Sequence, residues 1–149
     1  MKNTISTSTV IVEREVAADV SVLQDHLNFA SNSVTVENQT ARLVIRAYQT
    51  AFAPFRIYQI SFGIPHGLEA KTYPLGTAEN GLLAHYLPPN TSPLDSYNAI
   101  SGSITFYEAP SPTRIRGKFH FEAQKFDENQ PEIAHIRNGT LEIEVDQAK

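Results

Sequence analysis

The chain contains no cysteine and no tryptophan, only one methionine, and fewer basic than acidic residues (12 against 16, net charge −4). The missing cysteines exclude disulfides, thiolate catalysis and every cysteine-based metal site. The missing tryptophan removes the largest aromatic platform for stacking on sugars. The acidic balance argues against general nucleic-acid binding, which leaves a basic footprint. No apolar run approaches the roughly 20 residues of a transmembrane helix. The N-terminal stretch Met1–Thr9 is polar, with Lys2 but no apolar segment of the export-signal kind, and no cysteine is present for lipid attachment. These features lead us to expect a cytoplasmic protein as written, or a secreted or surface one whose signal has been removed.

What is present points to one β domain. A chain of 149 residues fits a single domain spanning 1–149. At that length about 70% of the unfolded surface is buried on folding, so neither disulfide nor metal is required. The dominant hydrophobic period is 2, the strand signature. Val10–Val16 reads as a first strand, with an edge position open to it. Val20 to Phe29 is ambiguous, because Val20, Leu23 and Leu27 also fit helical spacing after an Asp19 cap. Val34 and Val36, a turn at Asn38-Gln39-Thr40, then Leu43, Ile45 and Ala47 form a hairpin pairing Val36 with Leu43. Tyr58, Ile60, Phe62 and Ile64 line one face of a strand flanked by Pro54 and Pro65. Pro65 to Asn98 is rich in proline and glycine and reads as loops around a short strand near Gly81–Leu87.

Toward the C-terminus, Ile104 and Phe106 face the same way as Ile115, Phe119, Phe121 and Ala123. Pairing Phe106 with Ile115 sets Ile104 against Gly117 and Gly102 against Phe119. Arg137-Asn138-Gly139-Thr140 reads as a type I′ hairpin turn, since Asn and Gly best tolerate the positive φ it needs. That turn pairs Ile136 with Leu141, Ala134 with Ile143, and His135 with Glu142. The predicted architecture is all-β: an antiparallel sandwich or flattened barrel of about eight strands, with at most one short helix near residues 20–29.

Four segments carry a resemblance: Tyr73-Pro74-Leu75-Gly76, Tyr97–Phe106, Arg114–Ala123 and Ile136–Ile143. Their order resembles small uncharacterised bacterial β domains of the Bacteroidetes lipoprotein type, best over Tyr97–Val145. The resemblance implies a sandwich or barrel-like domain and brings no catalytic residues. The chain departs from it in lacking the lipid-attachment cysteine and in carrying Arg116 and Lys118 within the strand motif.

Two groups of residues stand out as candidate sites. Arg114, Arg116, Lys118 and His120 form an outward row with Tyr107 beside it, suited to an acidic partner, a phosphate or a sugar acid. Protection of a solvated edge against aggregation accounts for the same charges, and Glu122, Glu132, Glu142 and Glu144 are available to neutralise them. The second group lies in and beside the loops: His66, Tyr73, His85, Tyr86 and Tyr97. Tyrosine in such positions suits sugar or protein recognition. A surface zinc site from His120, Glu122 and His135 is conceivable, although a solvated polar face needs no metal. Asn38-Gln39-Thr40, Asn90-Thr91-Ser92 and Asn138-Gly139-Thr140 match the glycosylation pattern, but in a bacterial protein the turn reading explains them better.

No Gly-x-Ser-x-Gly elbow or recognisable acid–base pair points to catalysis. The expected function is a non-enzymatic binding or protein-interaction domain for an unknown protein or small-molecule ligand, without cofactor. A lipocalin-like barrel holding a small apolar ligand is the alternative. A hydrolase comes third.

Overall fold

A computed structural model describes the backbone of residues 9–77, 79–89, 96–125 and 132–147, with side chains from residue 15 to residue 145 among them. Asn90-Thr91-Ser92 lies outside the described residues. Ten strands follow one another: β1 (Thr9–Val22), β2 (Asp25–Ala30), β3 (Ser33–Asn38), β4 (Arg42–Ala51), β5 (Arg56–Pro65), β6 (Thr72–Pro74), β7 (Leu83–Leu87), β8 (Tyr97–Phe106), β9 (Arg114–Lys125) and β10 (Ile133–Gln147). They form one antiparallel sheet in the order β2-β1-β10-β9-β8-β7-β5-β4-β3, with β6 added beside β8.

The sheet curls because its two terminal strands are halves of one bent segment. β2 bonds to β1, and β3 bonds to β4. At the bend, the Ser31 amide donates to the Val16 carbonyl at 3.0 Å and the Asn32 amide to the Tyr48 carbonyl at 2.9 Å. The Asn32 side chain adds bonds to both backbone groups of Thr50. The segment thus passes from one wall to the other, and the result is a half-barrel rather than two stacked sheets. The ambiguous stretch 20–29 is strand throughout. β1 runs to Val22, turns at Leu23-Gln24, and returns as β2.

Alternation explains what faces inward. Ile45, Ile60, Phe62, Ile64, Ile104, Ile115, Phe121, Ile136 and Leu141 are almost completely buried, and no polar or charged side chain among the described residues is. At mid-height, Phe62 meets Phe119 edge-on at 4.9 Å between ring centroids and Phe121 at 6.2 Å. These rings form a packed layer across the interior, of the geometry aromatic pairs prefer.

Two registers differ from expectation by two residues. Val36 pairs with Ile45, not Leu43. Phe106 pairs with Gly117, Ile104 with Phe119 and Gly102 with Phe121. A two-residue slip preserves which face each side chain occupies, so alternation alone cannot detect it.

The Asn138-Gly139 pair overturns a larger expectation. It is no hairpin turn: β10 passes straight through it, bonding to β9 on one side and β1 on the other. A hairpin would pair Ile136 with Leu141. Instead Ile136 pairs with Phe121 and Val20, and Leu141 with Gly117 and Val16. Two long-range neighbours outweigh one local one. His135 accordingly faces Glu122 rather than Glu142. The local chemistry is used for a β-bulge, in which Arg137 and Asn138 together oppose His120. Asn138 takes the positive φ of 54°. At Gly139 a Cβ would lie 2.4 Å from the Phe119 ring, so only glycine lets that ring lie flush against the strand.

Candidate functional site

The antiparallel meander brings the β1–β2 turn at 23–24, the β4–β5 connection at 52–55, the ends of β7 and β9 and the starts of β8 and β10 to one end of the half-barrel. Among the described residues this end is open. A cleft of about 460 Å³ enters the interior there, walled by Val20 and Val22 of β1, Leu27 of β2, and Tyr58, Tyr86 and Tyr97. Pro88 and Pro89 complete its rim, with Asp25 and His26 at the β2 side. The cleft exists because β2 bonds to β1 and has no ladder with β5 across from it.

Each tyrosine is held by the sheet. Tyr86 and Tyr97 are register partners on β7 and β8, with ring centroids 5.9 Å apart. The Tyr97 hydroxyl donates to the carboxylate of Glu132. Burial pushes the Tyr86 phenol far above the ordinary tyrosine range, with nearby Tyr58 and Asp25 adding to the effect. It therefore stays neutral at any physiological pH and can hydrogen-bond without carrying charge.

The entrance is flanked by apolar side chains left in water. Leu23, at the tip of the β1–β2 turn, is 76% exposed, and Phe52 and Phe55, between β4 and β5, are 73% and 61% exposed. The Phe52 and Phe55 rings pair at 5.7 Å. Leu23 also holds a positive φ of 56°, a conformation that disfavours a branched side chain and favours Gly or Asn. A leucine in that conformation carries a strain cost.

The opposite end is shut. β6 takes the place beside β8 that β7 occupies at the open end. Leu75 and Leu82 are buried and Leu68 and Tyr73 pack against them. Gly76, at φ 85°, lies so close to β8 that a Cβ would fall 2.3 Å from the Ile100 carbonyl carbon.

The loop residues predicted together are divided between these regions. Tyr86 and Tyr97 line the cleft. His85 faces outward, its Nδ1 bonded to Asn98 at 2.6 Å. Tyr73 sits at the closed end, bonded to the Glu69 amide, with the Lys71 ammonium 5.4 Å above its ring. His66 bonds the Gln39 carbonyl near the β3–β4 turn at 2.8 Å. They form no single site.

The predicted cationic row does lie on the outer face of β9, but half of it is neutralised. Arg114 pairs with Glu108 at 2.8 Å. Arg116 lies between Glu142 and Glu144, at 3.7 and 3.5 Å. Exposed Tyr107 joins the row through its amide, bonded to the Arg116 carbonyl. His120, Glu122 and His135 do not assemble a metal site: among the described residues no three His, Asp or Glu side chains are grouped as ligands would be.

Sequence reasoning passed over Val20, Val22, Leu27 and Tyr58. Their signal was present in the period-2 spacing of Val20 with Val22 and of Leu27 with Phe29, masked by the competing helical spacing. No family model, curated protein or solved structure matches this chain.

Proposed function

We propose that the protein is a non-enzymatic binding domain that holds a small, mostly apolar molecule in the open end of its half-barrel. The observation that carries this reading is the convergence of Tyr58, Tyr86 and Tyr97 with Val20, Val22 and Leu27 around one cleft of about 460 Å³. Apolar walls supply affinity at roughly 25 cal/mol per Å² of ligand surface removed from water. A few well-placed hydroxyls then fix orientation, the usual composition of a ligand pocket. The neutral Tyr86 phenol suits a ligand with a hydroxyl or carbonyl at one end, since that pair carries no charge to be stripped of water.

Leu23, Phe52 and Phe55 support the same reading. They give an apolar ligand a first contact at the same end of the half-barrel as the cleft. The packed layer of Phe62, Phe119 and Phe121 limits depth, so the ligand is short: a medium-chain alcohol or a compact ring system.

Displacement of an environment-sensitive apolar fluorophore by a series of linear alcohols tests this. We expect saturable, one-site displacement that weakens at least tenfold in Leu27→Lys, which puts a charge in the wall. Equal displacement from wild type and Leu27→Lys would overturn the reading.

A further inference from the structure

The outer face of the barrel carries a second, chemically opposite concavity. A trough of about 810 Å³ runs over β8, β9 and β10, centred on Lys118, His120 and Arg137. Its shape comes from the bulge at Arg137-Asn138, which adds a residue opposite His120 and increases the local bend. Register places Thr105 and Thr140 on either side of Lys118, and Ser103 beside His120. Tyr107, exposed, stands at one end.

The charges here are distributed unlike those on the rest of this face. Arg114 and Arg116 each meet carboxylates. Among the described residues, Lys118 and His120 have no carboxylate within salt-bridge distance, although acids outnumber bases in the chain. The trough's one acid, Glu122, is already engaged. It accepts a bond from Ser101 at 2.5 Å and lies 3.7 Å from both Arg137 and His135. The Ser101 hydrogen bond holds the Glu122 carboxyl below the usual range against the effect of partial burial, with Arg137, His135 and His120 adding. Glu122 therefore stands ionised beside Arg137, and Asp19, the register partner of Arg137 on β1, accepts from the Asn138 side chain at 2.9 Å. Lys118 is left as the cation with no carboxylate partner among the described residues, and hydroxyls line the trough around it.

We propose that this trough binds an acidic saccharide, a sugar chain bearing carboxylates. Lys118 and Arg137 would take the carboxylates of the chain. Ser103, Thr105 and Thr140 can each both donate to and accept from sugar hydroxyls. The Tyr107 ring supplies the apolar platform that a tryptophan would otherwise provide. From Lys118 to Glu122 the strand rises roughly 13 Å, enough for two to three sugar rings. An inorganic anion would use the cations and the donor side of the hydroxyls and leave the Tyr107 ring without a role. This site is independent of the cleft, from which β9 and β10 separate it.

Amide-resolved NMR titration of the whole chain at low salt decides the matter. The probes are a trigalacturonate, the neutral galactose trisaccharide, inorganic phosphate and a glutamate tetrapeptide. We expect saturable shifts at residues 103–107, 118–122 and 137–140 with trigalacturonate. Binding should weaken at least tenfold in both Lys118→Ala and Arg137→Ala, exposed positions whose spectra will report an intact fold. Tyr107→Ala should weaken the saccharide alone. Equal shifts from phosphate or the peptide would overturn the proposal in favour of simple charge attraction. So would equal binding of the neutral trisaccharide, or binding that survives Lys118→Ala.

Discussion

The two ends of the half-barrel are built from the same strands and finished in opposite ways. At one end β6 and the leucines Leu68, Leu75 and Leu82 close the interior, and the chain crosses so near to β8 that Gly76 admits no side chain. At the other, β7 stops at Leu87, β2 has its ladder with β1, and three tyrosines face a cleft. Leu23, Phe52 and Phe55, the most exposed large apolar side chains among the described residues, are at the open end, and Tyr107, next in exposure, is at the other. Among the described residues the two ends are finished differently, and the cleft lies at the end that β6 does not cover.

The largest test of this comparison concerns the layer that separates the ends. Phe119 packs on Phe62 and Phe121 and covers Gly139. Phe119→Ala should cost about 3–5 kcal/mol, as large-to-small core changes do, read by chemical denaturation. A cost below about 1 kcal/mol would mean that the layer is not packed as described.

Next come paired changes at the two ends. Leu75→Ala at the closed end should cost about 2–4 kcal/mol, since it opens a void in a dry site. Tyr86→Phe at the open end removes only a hydroxyl and should change stability by less than about 1 kcal/mol. It should alter the alkaline limb instead. The Tyr86 phenol is raised above its ordinary value of 10.0, so its contribution to stability is complete below about pH 10 and is lost as pH rises further. Tyr86→Phe should remove that part of the alkaline loss in a pH-dependent melting series. An unchanged alkaline limb would show that Tyr86 is not buried as neutral phenol.

The smallest effect is expected at the entrance. Leu23→Asn relieves a positive φ that leucine tolerates poorly. It should stabilise by about 0.5 kcal/mol while slowing uptake of an apolar ligand. Stability and binding moving in opposite directions would mark Leu23 as kept for function; loss of both would assign it to the fold.

Much of this architecture was legible in the residues. Alternation assigned the inward set Ile45, Phe62, Ile104, Phe119, Phe121, Ile136 and Leu141 correctly, because period 2 depends only on the strand itself. Registers did not follow, since a two-residue slip changes no face. Asn138-Gly139 shows the same limit more sharply. Its chemistry specifies a positive φ and a missing Cβ, and a turn or a bulge satisfies both. Only the partners on either side of β10, more than 100 residues away on the β1 side, decide between them. The cleft was half visible. Tyr86 and Tyr97 were picked out, but their companions come from β1, β2 and β5, and only the curl of the sheet brings those together.

The most direct measurement is an amide-resolved NMR titration of the wild-type chain with 1-octanol. Saturable shifts are expected at residues 20–27, 58, 86 and 97, and none at 68, 75 or 82 at the closed end. Absent shifts, or shifts spread equally over both ends, would contradict it.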